Sequence, residues 1–168
     1  DPSVFRLHIL PRPESLPHYL SDPEVQRLEA LLSSWLSCSE PVLRLETACL
    51  FVLLHTGVRS GECTDLLVQD LDLESRKLTI RQGKGLRDRI VYLSDTACLA
   101  LKNYLQDKRL DYTSPLWVLP NGKMVSQRWI QQRSQEIGLQ AGISDLYPHR
   151  LRHTFATRLL NSGMDITR

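Results

Sequence analysis

Thr56-Gly57-Val58-Arg59-Ser60-Gly61-Glu62 follows the apolar run Ala48 to Leu54, and the reading of that corner decides the fold. On its N-terminal side Pro41 opens a helix whose residues from Leu43 to His55 are apolar on most faces. A helix apolar nearly all round belongs in a core, and Thr56-Gly57 ends it. On the C-terminal side Ser60 stands where it can cap a short helix through Cys63 and Leu66. Arg59 is thereby predicted at a glycine-containing corner between two helices, and Glu62 can reach back across the helix start to hold its guanidinium. Two readings follow. A planar, permanently charged fork steadied by a carboxylate grips a phosphate bidentately; alternatively, the two side chains form a surface ion pair worth little. The segment alone does not choose.

Outward from the corner, Ser21-Asp22-Pro23-Glu24 is a capping box with proline in the first turn, opening a helix through Val25, Leu28, Leu31 and Leu32. Beyond Leu66 the apolar period changes. Leu71 with Leu73, Leu78 with Ile80, and Ile90 with Tyr92 and Leu93 predict three strands, joined by Glu74-Ser75 and Gly83-Lys84-Gly85. Ser94 caps a helix to about Arg109, Trp117-Val118-Leu119 is a short apolar piece, and Asn121-Gly122 is a turn. Ser126 begins a helix to about Leu139. Pro148 precedes another from His149 to Asn161, ended by Ser162-Gly163, and Asp165 caps a further one. The predicted class is α+β, mainly helical, with one small three-stranded antiparallel sheet. Residues 1–15, with three prolines and no sustained period, read as a linker or arm, and 16–168 as one domain.

The totals bound what such a domain does. At 168 residues, 42% apolar and 24% charged, the chain can bury a real core. No apolar run approaches the roughly 20 residues that span a bilayer, and the N-terminus lacks the basic start and apolar core of a signal peptide. A cytoplasmic protein without membrane contact is expected. Cys38, Cys49, Cys63 and Cys98 form no CxxC pair and no zinc spacing, which predicts reduced structural thiols. Net charge is only +2, but its distribution is uneven. Arg76, Lys77, Arg81, Lys84, Arg87 and Arg89 face a single acid, Asp88, and a second cluster runs His149, Arg150, Arg152, His153, Arg158. These are either a one-sided phosphate-binding surface or solvated charges on a hairpin and a helix.

Lys84, between glycines at a hairpin tip, either swings its ammonium into a neighbouring groove as a general acid or is a solvated turn lysine. His149 and Arg152 share a helix face, as do His149 and His153. The paired histidines have no third ligand at a matching spacing and no HExxH pattern, so no metal is predicted.

Each motif is ambiguous alone, but their order is specific: TGVRSGE, then a three-stranded region with GKG at a turn, then HRLRHTFATRLL. From about Leu16 onward the chain resembles the C-terminal catalytic domain of the tyrosine recombinases, the phage-integrase family that includes the Xer-type enzymes. The resemblance implies site-specific DNA recombination, integration or excision, by strand cleavage and rejoining through a 3′-phosphotyrosine intermediate. It needs neither metal nor other cofactor. It assigns Arg59 and Arg152 to the phosphate, His149 to phosphate orientation and proton transfer, Lys84 to the leaving 5′ oxygen, and Glu62 to the acid that follows the first arginine. Arg81, Arg87, Arg128 and Arg133, with Gln132, are candidates for DNA contacts.

The resemblance also implies a second His or Trp and a nucleophilic tyrosine beyond the HxxR helix. Residues up to Arg168 hold neither at the expected place, and Tyr19, Tyr92, Tyr104, Tyr112 and Tyr147 lie off the pattern. The expectation is a piece without nucleophile, inactive by itself and monomeric. The complete protein is expected to bind double-stranded DNA through a further N-terminal domain and to assemble as a tetramer on it. The competing readings are a DNA-binding module or degenerate integrase without chemistry, and a type IB topoisomerase that relaxes supercoiled DNA without a specific site.

Overall fold

The computed structural model describes residues 19–82 and 85–163. Their elements are α1 (Asp22–Ser34), α2 (Pro41–Thr56), α3 (Ser60–Thr64), a 3-10 turn (Val68–Asp70), β1 (Leu71–Asp72), β2 (Lys77–Ile80), β3 (Arg89–Tyr92), α4 (Asp95–Leu105), α5 (Gln127–Gln140) and α6 (Pro148–Asn161). The strands form one antiparallel sheet in the order β1-β2-β3, with Leu71 opposite Leu78 and Ile80 opposite Arg89. The mainly helical α+β class is as the sequence predicts. The arm at 1–15, Lys84 and the helix expected from Asp165 lie outside the described residues.

Local chemistry sets the helix ends. Ser21 Oγ accepts from the Glu24 amide at 3.3 Å while Glu24 Oε1 accepts from the Ser21 amide at 3.0 Å, closing the capping box of α1. The side chains of Ser94 and Ser126 cap α4 and α5 in the same sense. Helix α2 is capped by a residue the sequence does not flag: the Glu40 carboxylate takes the amides of Val42 and Leu43 at 3.1 and 2.8 Å. Helix α4 ends at Leu105, short of the expected Arg109, where the Lys108 amide closes a tight turn onto Leu105 O.

Helix α2 is buried from Leu45 to Leu54 and packs chiefly against α4 and α6. It carries a fully buried acid, Glu46, paired with Arg133 Nε of α5 at 2.7 Å. Burial raises the Glu46 carboxyl above its ordinary value, and Arg133 opposes that shift. Arg133 also binds Glu136, so two carboxylates hold the side chain that the sequence reads as a DNA contact. Its position three residues after Ile130 and four before Ile137 turns it to the buried stripe of α5.

The sheet covers the core with Leu78 and Ile80, both buried. In β3 the apolar residues that mark the strand in the sequence turn outward. Ile90 and Tyr92 are 52% and 67% exposed, while Arg89 and Val91 turn inward. Strand alternation ties the two facts together, since an inward Arg89 forces Ile90 outward.

Behind the sheet, Tyr104 of α4 braces the connection towards α5. Its hydroxyl donates to Leu116 O and accepts from the Val118 amide, both at 2.8 Å, and burial pushes the phenol up to about 12. Tyr104→Phe strands both backbone groups and is expected to cost about 1–3 kcal/mol in a denaturant melt. A loss under a few tenths would mean that water replaces the hydroxyl. Among the described residues no helix is long and apolar enough to cross a membrane.

Candidate active site

Helix α2 stops at Gly57, whose φ of 70° is left-handed and whose amide closes onto Leu53 O at 3.2 Å. Two residues later Arg59 is extended and occupies the N-cap position of α3. Ser60, expected as the cap, is the first helical residue instead, and its hydroxyl donates to Gln127 of α5 at 3.2 Å. The group that satisfies the helix start is Glu62, whose Oε1 accepts from the Arg59 amide at 2.9 Å.

Glu62 therefore does something different from the expected grip on the Arg59 guanidinium. The nearest approach of those side chains is 3.9 Å. The carboxylate is taken by Arg89, which donates from Nη1 at 2.6 Å and from Nη2 at 2.9 Å, and more weakly by Gln82 at 3.4 Å. These contacts, Arg89 first and the Arg59 amide after it, outweigh burial and hold the Glu62 carboxyl at about 2. Glu62 is a charged tie between the corner and the strand, and the Arg59 side chain is left 64% exposed.

The second arginine arrives from α6. Arg152 donates from Nη1 to Gly57 O at 2.5 Å, so the carbonyl of the corner aims the arginine of the distant helix. Burial lowers the proton affinity of Arg152, and the charges of Arg59 and Arg89 lower it further against the pull of Glu62. The guanidiniums thus feel one another as like charges, a field that an anion relieves. His149 stands one turn before Arg152 on the same helix, exposed, with its Nε2 2.9 Å from Nε2 of His153.

Arg59, Ser60, Gly61, Glu62, Gln127, Pro148, His149 and Arg152 line one open cleft of about 560 Å³. The structure thus brings together four of the five residues singled out: Arg59, Glu62, His149 and Arg152. Of the DNA-contact candidates, Arg87, Arg128 and Gln132 are exposed. Arg81 is braced: Nε donates to both Asp70 oxygens at 3.0 and 3.2 Å, and Nη2 donates to Asp65 O at 2.6 Å. Sequence reasoning read Arg89 only as one charge of a basic cluster and assigned no role to Gln127. For Arg89 the signal is its alternation with Val91; for Gln127, which meets Ser60 across 67 positions of sequence, there is none. Among the described residues no three His, Cys, Asp or Glu side chains converge on a metal position.

The Phage integrase family profile matches residues 19–168. Tyrosine recombinase XerA of Pyrococcus furiosus is 33% identical over 158 residues, covering 92% of this chain and 52% of the relative. The crystal structure of XerA recombinase superposes with a TM-score of 0.77 at 34% identity, over 94% of this chain and 54% of that one. The XerH site-specific recombinase, solved with a palindromic difH substrate after cleavage, superposes at 0.73 with 25% identity, over 92% and 45%. This chain spans about half the length of these relatives. With the profile, the fold and the order of motifs in agreement, the chain belongs to the phage integrase family.

Proposed function

We propose that this chain is the phosphate-gripping catalytic domain of a site-specific tyrosine recombinase acting on double-stranded DNA. The observation that carries the reading is the cleft. Two guanidiniums and an imidazole line it, and the one acid among its described residues, Glu62, is committed to Arg89 and the Arg59 amide. A DNA phosphodiester fits that charge, and XerA and XerH supply the precedent.

On this reading Arg59 and Arg152 bind the non-bridging oxygens and stabilise the charge that builds on them as phosphorus becomes pentacoordinate. A tyrosine oxygen attacks phosphorus and gives up its proton with the help of His149. The bond to the 5′ oxygen breaks, and Lys84 supplies that oxygen's proton. A 3′-phosphotyrosine and a free 5′-hydroxyl result, so rejoining needs no external energy source and no metal. None of the five tyrosines lines the cleft. On this reading none of these five is the nucleophile, the chain alone is monomeric and leaves DNA intact, and the recombinase works as a tetramer on DNA. Four unpaired cysteines suit a cytoplasmic setting.

The test is binding of this chain to a fluorescent duplex over a series of salt concentrations. Arg59→Ala is expected to weaken binding about tenfold and to reduce the slope of log affinity against log salt by about one phosphate contact. An unchanged slope and affinity would remove Arg59 from the interface. Supercoiled plasmid incubated with the chain is expected to stay supercoiled, with no covalent adduct. Relaxation would instead favour a topoisomerase with its nucleophile among these residues.

A further inference from the structure

The cleft reading gives His149 a role at the phosphate but leaves its neighbour His153 without one. His149 and His153 are four residues apart on α6 and share a face. Their rings meet edge to face, with centroids 4.4 Å apart and planes at 73°, and their Nε2 atoms are 2.9 Å apart. A hydrogen bond between two imidazole nitrogens needs one N–H and one bare lone pair. The partner of one ring nitrogen decides which nitrogen of that ring carries the proton.

Resting on the proposal that the cleft holds a phosphate, we infer that His153 is a positioning residue. Its Nε2–H donates to Nε2 of His149 and holds that ring as the Nδ1–H tautomer. The choice between the two directions of the bond is made by charge. If His149 donated, its Nδ1 would be a bare lone pair, and an anion between Arg59 and Arg152 would meet that lone pair as a second acceptor. With His149 accepting, Nδ1 carries hydrogen and is a third donor beside the two guanidiniums. Without a fixed partner a neutral imidazole divides itself between two tautomers, and only one suits the anion. The His153 ring removes that division in advance of binding, which is how preorganised donors gain over solvent.

The test reads the tautomer itself. Uniformly ¹⁵N-labelled chain is examined by long-range ¹H–¹⁵N correlation at about pH 8, above the ordinary imidazole range, with His149→Gln used to assign the signals. The expected spectrum has His149 protonated at Nδ1 and bare at Nε2, and His153 protonated at Nε2. His153→Phe keeps a ring but removes the donor, and His149 is expected to become a tautomer mixture. His153→Gln returns an N–H at the place of Nε2 and is expected to restore the single tautomer. Inorganic phosphate is the binding probe. Its affinity is expected to fall about threefold to tenfold in His153→Phe and to recover in His153→Gln.

A wild-type His149 protonated at Nε2 overturns the inference without any variant, as does a His149 spectrum unmoved by His153→Phe. The underlying reading fails separately. A locked Nδ1–H tautomer whose signals ignore phosphate would remove the anion from the cleft. Signals that respond to phosphate while His149 is protonated at Nε2 would keep the anion and sink the role of His153.

Discussion

Gly57→Ala is expected to destabilise the fold by about 2–5 kcal/mol, read as a large drop in the midpoint of thermal or denaturant unfolding. Two independent costs add at this residue. The backbone there has φ of 70°, a conformation that costs a residue with a β-carbon about 1–2 kcal/mol. The added β-carbon would also stand 2.3 Å from Cδ1 and 2.9 Å from Cγ of Phe155, a half-buried ring on α6 that yields at the usual overpacking cost of about 1–3 kcal/mol. Gly122→Ala separates the two. Its φ is 87°, yet nothing lies within 4 Å of its added carbon, so it is expected to show the backbone cost alone. Equal losses from both variants would mean that Phe155 moves aside freely. Phosphate affinity should fall in the Gly57 variant even where it is fully folded, because Gly57 O is the acceptor that aims Arg152.

That coupling of corner and distant helix shows where the sequence was informative. Capping residues act over three or four positions, so Ser21, Ser94 and Ser126 marked their helices from sequence alone. The three arginine and histidine positions of the cleft were found because each sits in a short motif at a glycine corner or a helix start. Which carboxylate meets which guanidinium was not legible. Glu62 lies three residues from Arg59 and 27 from Arg89. Nearness along the chain suggested Arg59, whereas the pairing of Ile80 with Arg89 brings the strand arginine to the acid. The partners of Arg133 were missed for a related reason. Read as one member of a basic face it is a DNA contact, but the apolar spacing of Ile130 and Ile137 already placed it inward, and Glu46 receives it there. Glu40 as a cap was missed because a glutamate must fold its longer side chain back to do what serine or aspartate does directly.

Arg89→Met is expected to cost about 2 kcal/mol at neutral pH and to change how the protein responds to acid. Removing one partner of a buried ion pair typically costs about 3–5 kcal/mol because the other charge is stranded. The Glu62 side chain is 13% exposed and that of Arg89 34%, so solvent relieves part of the loss. The pH dependence follows from the direction of the shift. Glu62 sits at about 2 in the folded protein against an ordinary 4.5, so its ionised form stabilises the fold. That contribution is complete above about pH 4.5 and disappears as the pH falls towards 2. Without Arg89 the folded-state value moves up towards the ordinary one, and the stability lost between those limits should shrink. Glu62→Gln should flatten the same window, while its amide oxygen can still accept the Arg59 N–H. In a double-mutant cycle the two substitutions are expected to cost less together than the sum of each alone, since the second finds the pair already broken. Strict additivity would mean that Arg89 stabilises the sheet and not the acid. The tie would then not be what fixes the strand against the corner that carries Arg59.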